Sequence, residues 1–233
     1  RRGGIDKPVI GAHAVGFNGG SVGIAVIGSY GSQGISKAAQ DAVTQLLAWR
    51  LDVAHVDPLS TFSWASGGNP RFPKGIPVFL RAISGHRDTG FTDCPGDLLY
   101  RGIDGIAQTV AATGLPKIYE PASAGRLGAP IRFTARLSAY GPWKVTITDT
   151  SGAKVASGSG TGLTVDWTWD ATTATGATYA WTIEAGTALP ASGTVGKKPP
   201  APKPPATTTT TPATTTAPTK CSRRGRSPSP GTR

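Results

Sequence analysis

Residues 84–96 have the sequence SGHRDTGFTDCPG. The stretch holds one of the three histidines of the chain, His86, and one of its two cysteines, Cys94, among glycines and a proline. Zinc accepts histidine nitrogen and cysteine thiolate, and a catalytic zinc site uses three protein ligands and a water. Because two residues are fewer than three, the spacing alone leaves several roles open for Cys94: a metal ligand, a nucleophile with His86 as its base, and a free buried cysteine.

The charge of the chain lies mainly at its C-terminal end. The 233 residues carry a net charge of +11, and residues 197–233 contain eight lysines and arginines and no acidic residue. Such a run is typical of a solvated, disordered tail rather than of a nucleic-acid-binding arm, so we expect no nucleic-acid partner. The same charge predicts adhesion of the tail to anionic cell-wall polymers.

Two further features of the composition concern the origin and location of the chain. No apolar run approaches the roughly 20 residues that cross a bilayer, so we expect no membrane span. The sequence contains no methionine. This predicts that Arg1 is not an initiator position and that the chain is a processed product or a fragment.

The first part of the chain, residues 1–121, has an α/β pattern. The apolar segment SVGIAVIGSY, residues 21–30, predicts a buried strand. Ser36 is a suitable N-cap for a following helix that ends at Pro58. Apolar residues at spacings of three and four predict the buried face of this helix, and they are Ala42, Leu46, Trp49, Val53 and Val56.

The remainder of this part predicts a loop, a strand and a second helix. Residues 57–78 have loop character, and the strand VFLRAIS that follows delivers His86 at its end. Cys94 opens the second helix, with Pro95 in its first turn. The apolar face of that helix is predicted to comprise Leu98, Leu99, Ile103, Ile106 and Val110.

The second part, residues 127–196, alternates apolar and polar residues in several short segments that end in turn residues. This pattern predicts a small β-sandwich, and the sequence DTSGAK, residues 149–154, predicts one of its hairpins. Four aromatic residues lie in the predicted strands, and we expect them to pack in the core rather than to form a sugar-binding face: Trp143, Trp167, Trp169 and Tyr179.

The third part is a linker followed by a short basic end. Residues 197–219 are rich in proline and threonine, so they cannot bury a core and are typical of extracellular linkers. Residues 220–233 change composition again, and we assign them no function.

Two quoted blocks together resemble a known family. GAHAVGFNGGSVGIAVIGSY, residues 11–30, is followed by a helix and then by ISGHRDTGFTDCPGDLLY, residues 83–100. Their order and spacing resemble the type-2 N-acetylmuramoyl-L-alanine amidases and the peptidoglycan recognition proteins of the same fold, over roughly residues 3–115. The SGGNPR loop before the second block is similar to that of actinobacterial, cell-wall-associated members. Residues 127–196 resemble the immunoglobulin-like module of flagellar hook-capping proteins.

The resemblance implies a fold class and a location. It implies an α/β amidase-type domain over residues 1–121, with a central mixed sheet flanked by helices and its N-terminal strands missing. A small all-β immunoglobulin-like sandwich over residues 127–196 and a disordered tail over 197–233 would follow. It also implies a secreted, cell-wall-associated bacterial protein whose partner is peptidoglycan.

The resemblance also implies roles for individual residues. His86 and Cys94 match the second and third zinc ligands of the family, and Thr92 matches the residue that stabilises the oxyanion. His13 matches a groove residue that contacts the muramyl peptide. Bound zinc would activate a water to hydrolyse the amide between N-acetylmuramic acid and L-alanine.

The first zinc ligand of the family has no match in this chain, and we expect it upstream of Arg1. His13 already matches another position, and His55 is expected to be a surface or helix-capping residue. We therefore expect the isolated chain to bind zinc weakly and to hydrolyse poorly. A non-catalytic peptidoglycan-binding module is the alternative function.

Overall fold

The computed structural model describes residues 9–196, which all belong to one compact unit. The predicted tail, residues 197–233, lies outside the described residues. In chain order the helices and strands are α1 (Lys37–Val53), β1 (Thr61–Ala65), β2 (Pro77–Arg81), α2 (Asp97–Ala111), β3 (Ile118–Ala124), β4 (Ile131–Thr148), β5 (Lys154–Trp169), β6 (Thr178–Ala185) and β7 (Ala191–Gly196). Among residues 9–196, no helix has the length and apolar character that a membrane crossing requires.

Helix α1 begins as predicted, but it buries a different face. The hydroxyl of Ser36 accepts a hydrogen bond from the backbone N–H of Ala39, which confirms the N-cap. The predicted face is wrong, because Leu46 and Trp49 are 42% and 43% exposed. Ala48, Leu47 and Leu51 pack with residues of α2, and Thr44 is also buried. The helix carries two apolar stripes. The stripe that contains Ala48 faces α2, and its small side chain allows the two helices to approach closely.

Helix α2 has the predicted buried face but a later start. Leu99, Ile103, Ile106 and Val110 are buried, whereas Leu98 is 40% exposed. The helix begins at Asp97 rather than at Pro95, because Gly96 has a φ of 94°, which interrupts helical geometry. A Cβ on Gly96 would lie 2.5 Å from the carbonyl carbon of Tyr30, so only glycine fits this approach.

Residues 21–30 do not form the predicted buried strand. They have no regular secondary structure, and Ile27 is 98% exposed. A strand requires a neighbour that shares its backbone hydrogen bonds, and no strand among the described residues pairs with this segment. An apolar, β-branched composition was therefore not sufficient to predict a strand at residues 21–30.

Strands β1 and β2 pair antiparallel, with Ser63 opposite Phe79. Strand β1 lies inside the segment predicted as a loop, so that prediction is wrong for Thr61–Ala65. The expected central mixed sheet is also wrong for the described residues, where both sheets are antiparallel. Most of the glycines and prolines that gave this segment its loop character lie in the connection between β1 and β2, after Ala65.

The second part forms one curled antiparallel sheet. Its strand order is β3–β4–β6–β7, with β5 also paired to β4. The first half of β4 lies between β3 and β5, and the second half lies between β6 and β5. Strands β4 and β5 each span two of the predicted short strands, because the register shift between Arg136 and Gly141 bends the pair without ending it.

One face of the curled sheet encloses a continuous apolar core. Along β4 every second residue is buried in both halves, so the same face points inward throughout. Trp143, Trp169 and Tyr179 are buried in this core, and Trp167 is partly buried against it, which confirms the core-packing prediction. Phe133 stacks on Trp167 with ring centroids 5.9 Å apart.

The predicted DTSGAK hairpin joins β4 to β5. The Asp149 carboxylate accepts hydrogen bonds from the backbone N–H groups of Ser151 and Ala153 and from the Ser151 hydroxyl. Gly152 supplies the positive φ, 85°, that the tight turn requires. Local side-chain chemistry therefore determines this turn, which is why it could be predicted.

The end of α1 packs against β3 and β4. His55 follows the helix with a φ of 54°, and its Nδ1 donates to the Ile118 carbonyl at 3.0 Å. The N–H of Glu120 donates to the carbonyl of His55 at 2.9 Å. Arg136 on β4 pairs with Asp57 at 2.7 Å. The predicted division at residues 121 and 127 remains a prediction, although β3 extends across residue 121.

The same region contains a buried ion pair. Lys117 is 7% exposed, and its Nζ lies 3.4 Å from Asp52 and donates to the Leu115 carbonyl at 2.6 Å. Within residues 9–196, the other carboxylate oxygen of Asp52 has no hydrogen-bond partner. The lysine therefore compensates a charge that is already poorly solvated.

We predict that Lys117→Ala lowers the free energy of unfolding by about 3 kcal/mol, because it leaves the Asp52 carboxylate buried and unpaired. Denaturant unfolding measures the change. The double variant Lys117→Met, Asp52→Leu should lose less than the single variant, because it removes both charges. A double variant no more stable than Lys117→Ala would contradict the assigned role of the pair.

We predict that Asp149 titrates at low pH. The hydrogen bond from the Ser151 hydroxyl, with the backbone N–H bonds of the turn, holds the pKa of Asp149 below its ordinary value. Its stabilising contribution is therefore present above the unfolded-state pKa and is lost as the pH falls through the folded-state pKa. In Ser151→Ala the pKa of Asp149 should rise toward its ordinary value, as measured by carboxyl-carbon NMR. The pKa of Asp170, which has its own hydroxyl partner in Thr172, should not move.

Candidate functional site

His86 lies in a short turn, not at the end of β2. A 3-10 helix spans His86–Asp88 and begins five residues after Arg81, the last residue of the strand. The N–H groups of Thr89 and Gly90 both donate to the His86 carbonyl at 3.1 Å. The imidazole is exposed. We call residues 86–90 the His86 turn. The prediction that the strand delivers His86 at its end is wrong, because β2 ends at Arg81 and a separate short turn carries the histidine.

Asp88 holds the His86 turn against α2. One carboxylate oxygen accepts from the backbone N–H of Gly85 at 2.8 Å, and the other accepts from the Tyr100 hydroxyl at 2.5 Å. The hydrogen bond to Asp88, with partial burial, raises the pKa of Tyr100. The guanidinium carbons of Arg81 and Arg87 also lie 5.2 and 4.7 Å from the centroid of the Tyr100 ring. These contacts fix the backbone from which the His86 side chain projects.

Cys94 is a free, exposed thiol three residues before α2. Its carbonyl accepts a hydrogen bond of 3.0 Å from the backbone N–H of Arg87, the residue after His86. The Arg87 guanidinium donates to the Asp93 carbonyl and to the Asp97 carboxylate, the latter at 2.8 Å. This ion pair holds the pKa of Asp97 below its ordinary value. Arg87 therefore closes the loop that separates His86 from Cys94.

Thr92 lies within this closed loop and is half-buried. Its hydroxyl oxygen accepts from the backbone N–H of Cys94 at 3.1 Å. A threonine hydroxyl has one hydrogen to donate in addition to its acceptor sites. The bond from Cys94 uses an acceptor site only, and within residues 9–196 no contact of Thr92 uses its hydroxyl hydrogen.

His13 lies in a separate loop of the same part of the chain. Its backbone N–H and that of Ala14 donate to the side-chain oxygen of Asn18 at 2.9 and 2.8 Å. The ring packs directly on Gly23, where a Cβ would lie 2.5 Å from the ring carbon Cγ. The glycine within the SVGI segment is therefore required by the His13 ring. We call residues 13–18 the His13 loop.

The described residues do not complete a zinc site. No group of three His, Cys, Asp or Glu side chains within residues 9–196 is arranged to hold a metal ion. His86 and Cys94 are two donors of the correct chemistry on one loop, whereas zinc in a catalytic site takes three protein ligands. His55 contacts β3 and supplies no third ligand.

Residues 2–97 match the family model of N-acetylmuramoyl-L-alanine amidase. The match supports the amidase family for this part of the chain, which we call the amidase segment. It covers less than half of the chain and includes His13, His86, Thr92 and Cys94. No curated protein matches the chain.

Three residues that organise the loop could not be identified from the sequence pattern: Arg87, Asp88 and Tyr100. The HRD tripeptide was noted for its histidine alone, although its arginine and aspartate make the contacts that hold the histidine in place. The sequence pattern gives no signal for Tyr100, because its partners Asp88, Arg81 and Arg87 are brought to it by the fold.

We predict that Arg87→Lys loosens the loop between His86 and Cys94. Lysine keeps the charge but lacks the planar fork that reaches both the Asp93 carbonyl and the Asp97 carboxylate. Hydrogen exchange of the Gly96 amide, which donates to the Asp93 carbonyl at 2.8 Å, should become about tenfold faster. Arg101→Lys on the exposed face of α2 is the control, and equal effects of the two substitutions would contradict the role of Arg87.

Proposed function

We propose that the amidase segment hydrolyses the amide between N-acetylmuramic acid and the L-alanine of the peptidoglycan stem peptide, with zinc as its cofactor. The observation that carries the proposal is the backbone hydrogen bond from Arg87 to Cys94, which closes the loop between His86 and Cys94 inside the segment that matches the amidase family. His86 and Cys94 would hold zinc, with a further donor from outside the described residues.

The reaction consumes one water. The bond between the lactyl carbonyl carbon and the alanine nitrogen breaks, the carbonyl carbon gains the hydroxyl of the water, and the peptide leaves with a free amine. Negative charge develops on the carbonyl oxygen in the transition state, and a correctly placed hydrogen-bond donor stabilises it. The Thr92 hydroxyl, whose hydrogen is not used by any contact among residues 9–196, fits this role, and His13 is proposed to contact the muramyl peptide.

A specific observation favours a second candidate function. Because residues 9–196 supply two zinc donors rather than three, the chain also fits a peptidoglycan-binding module without catalysis. Such a module would use the same surface near His13 and the His86 turn. The two functions differ in whether the stem peptide is released.

Three measurements on the purified chain separate the two functions: zinc content, sedimentation with insoluble peptidoglycan, and release of stem peptide from cell walls. Weak zinc binding with slow release supports the enzyme, and the rate should rise with added zinc. Sedimentation without zinc and without release supports the binding module. A chain that neither sediments with peptidoglycan nor releases peptide would contradict both.

We predict that Thr92→Ala reduces turnover by about 10²-fold, because it removes one donor to the developing oxyanion. Zinc affinity should be unchanged, since the threonine is not a metal donor. Thr92→Ser, which keeps the hydroxyl, should retain most of the activity. Loss of zinc from Thr92→Ala would show that its assigned role is mistaken.

Cys94→Ser is expected to weaken zinc binding and to remove most of the activity, because a serine hydroxyl is not ionised at neutral pH and is a much poorer zinc ligand than a thiolate. Metal analysis after dialysis, together with stem-peptide release, measures both effects. Full zinc content in Cys94→Ser would exclude Cys94 as a ligand.

The remaining proposals concern the other parts of the chain. We propose that residues 127–196 are an immunoglobulin-like accessory module, supported by their antiparallel, curled sheet with an apolar core on one face. We also propose that the protein acts outside the cell, at the bacterial wall, where its substrate is found. Adhesion of the basic tail to anionic wall polymers is part of this proposal and would weaken with salt.

A further inference from the structure

The loop of residues 66–73, which we call the Asn69 loop, is built around one side-chain amide. The oxygen of Asn69 accepts hydrogen bonds from the backbone N–H groups of Arg71 and Phe72, both at 2.8 Å. Ser66 adds a hydroxyl bond to the Phe72 carbonyl at 3.0 Å. Since two N–H donors face the oxygen, the orientation of the amide is fixed, and its NH₂ group points away from its own loop.

The NH₂ group of Asn69 joins two other loops. It donates to the Val15 carbonyl in the His13 loop at 2.9 Å and to the Thr89 carbonyl in the His86 turn at 2.7 Å. These carbonyls are 74 positions apart in the sequence. An asparagine side chain has two donor hydrogens and two acceptor lone pairs. All four are used here, which distinguishes Asn69 from an ordinary polar loop residue.

Neighbouring residues of the Asn69 loop support the same two loops. The Arg71 guanidinium donates to the carbonyls of Arg87 and Gly90, the latter at 3.2 Å. The backbone N–H of Gly67 donates to the Gly16 carbonyl at 2.8 Å. The His86 turn is therefore held through three of its carbonyls, and the His13 loop through two.

We propose that Asn69 is a positioning residue that fixes the His13 loop relative to the His86 turn. The inference rests on the proposed function, in which His13 contacts the muramyl peptide and His86 lies at the reacting centre. Substrate bound by one loop reaches a centre on the other only if their separation is held closely, and a misplacement of about 1 Å can cost about 10²-fold in rate.

The substitution Asn69→Asp removes the NH₂ donor group and keeps the side-chain oxygen, so it tests the two donated hydrogen bonds separately. Aspartate keeps an oxygen for the N–H groups of Arg71 and Phe72, but it places a charged oxygen against the carbonyls of Val15 and Thr89. We expect the amides of Thr89 and Gly90 to exchange at least tenfold faster, because the turn they close is no longer held. Exchange within threefold of the unmodified chain would overturn the proposal.

Asn18→Asp is the matched control for this exchange measurement. It makes the same chemical change, but within residues 9–196 the contacts of the Asn18 side chain use its oxygen, which accepts from the backbone N–H groups of His13 and Ala14. The exchange of Thr89 and Gly90 should therefore stay within threefold. Equal acceleration in both variants would assign the effect to added charge and overturn the proposal. If Asn69→Asp does not fold, Asn69→Ala replaces it, since it removes the donors without adding a charge.

A binding measurement separates positioning from simple stabilisation. At a temperature where both proteins are fully folded, Asn69→Asp should bind muramyl dipeptide at least fivefold more weakly than the unmodified chain, as followed by tryptophan fluorescence. Unchanged affinity alongside faster exchange would make Asn69 a stabilising residue only and overturn its positioning role. If the unmodified chain does not bind the dipeptide, the proposed function fails, whereas the exchange result still decides whether Asn69 joins the two loops.

Discussion

The hydrogen bond from the N–H of Arg87 to the carbonyl of Cys94 closes the loop that carries every candidate residue except His13. Without this closure, His86 and Cys94 would lie on a flexible segment between β2 and α2. The guanidinium of the same residue holds the far side of the loop through Asp93 and Asp97. The backbone and the side chain of one arginine therefore hold the seven residues between His86 and Cys94 in a defined conformation.

This surface is supported from two directions. Asp88 and Tyr100 connect it to α2, whose apolar face is anchored by Ile106 and Val110. The Asn69 loop supports it from the other side, through carbonyls of the His86 turn. Away from these loops, the start of the curled sheet contacts the end of α1 and the residues that follow it, through Lys117 to Asp52 and His55 to Ile118. The β-rich part therefore belongs to the same compact unit without contributing a candidate site residue.

Features set by local chemistry could be predicted from the sequence. Ser36 caps α1, Asp149 and Gly152 form the hairpin, and the apolar stripe of α2 faces inward, because each depends on neighbours within a few residues. Features that depend on partners distant in the sequence could not be predicted. The choice between the two apolar stripes of α1 depends on α2, and the failure of residues 21–30 to form a strand depends on the lack of a pairing strand among the described residues. Likewise Asn69 resembled any turn residue, because its partners are distant in sequence.

Zinc-edge X-ray absorption of the zinc-loaded chain tests the central claim most directly, because it reports the atoms bound to the metal. If His86 and Cys94 share one ion, the first shell contains one sulfur at about 2.3 Å and at least one nitrogen at about 2.0–2.1 Å. The sulfur should disappear in Cys94→Ser and remain when the other cysteine of the chain is changed, in Cys221→Ser. A first shell of oxygen and nitrogen alone in the unmodified chain would contradict the account.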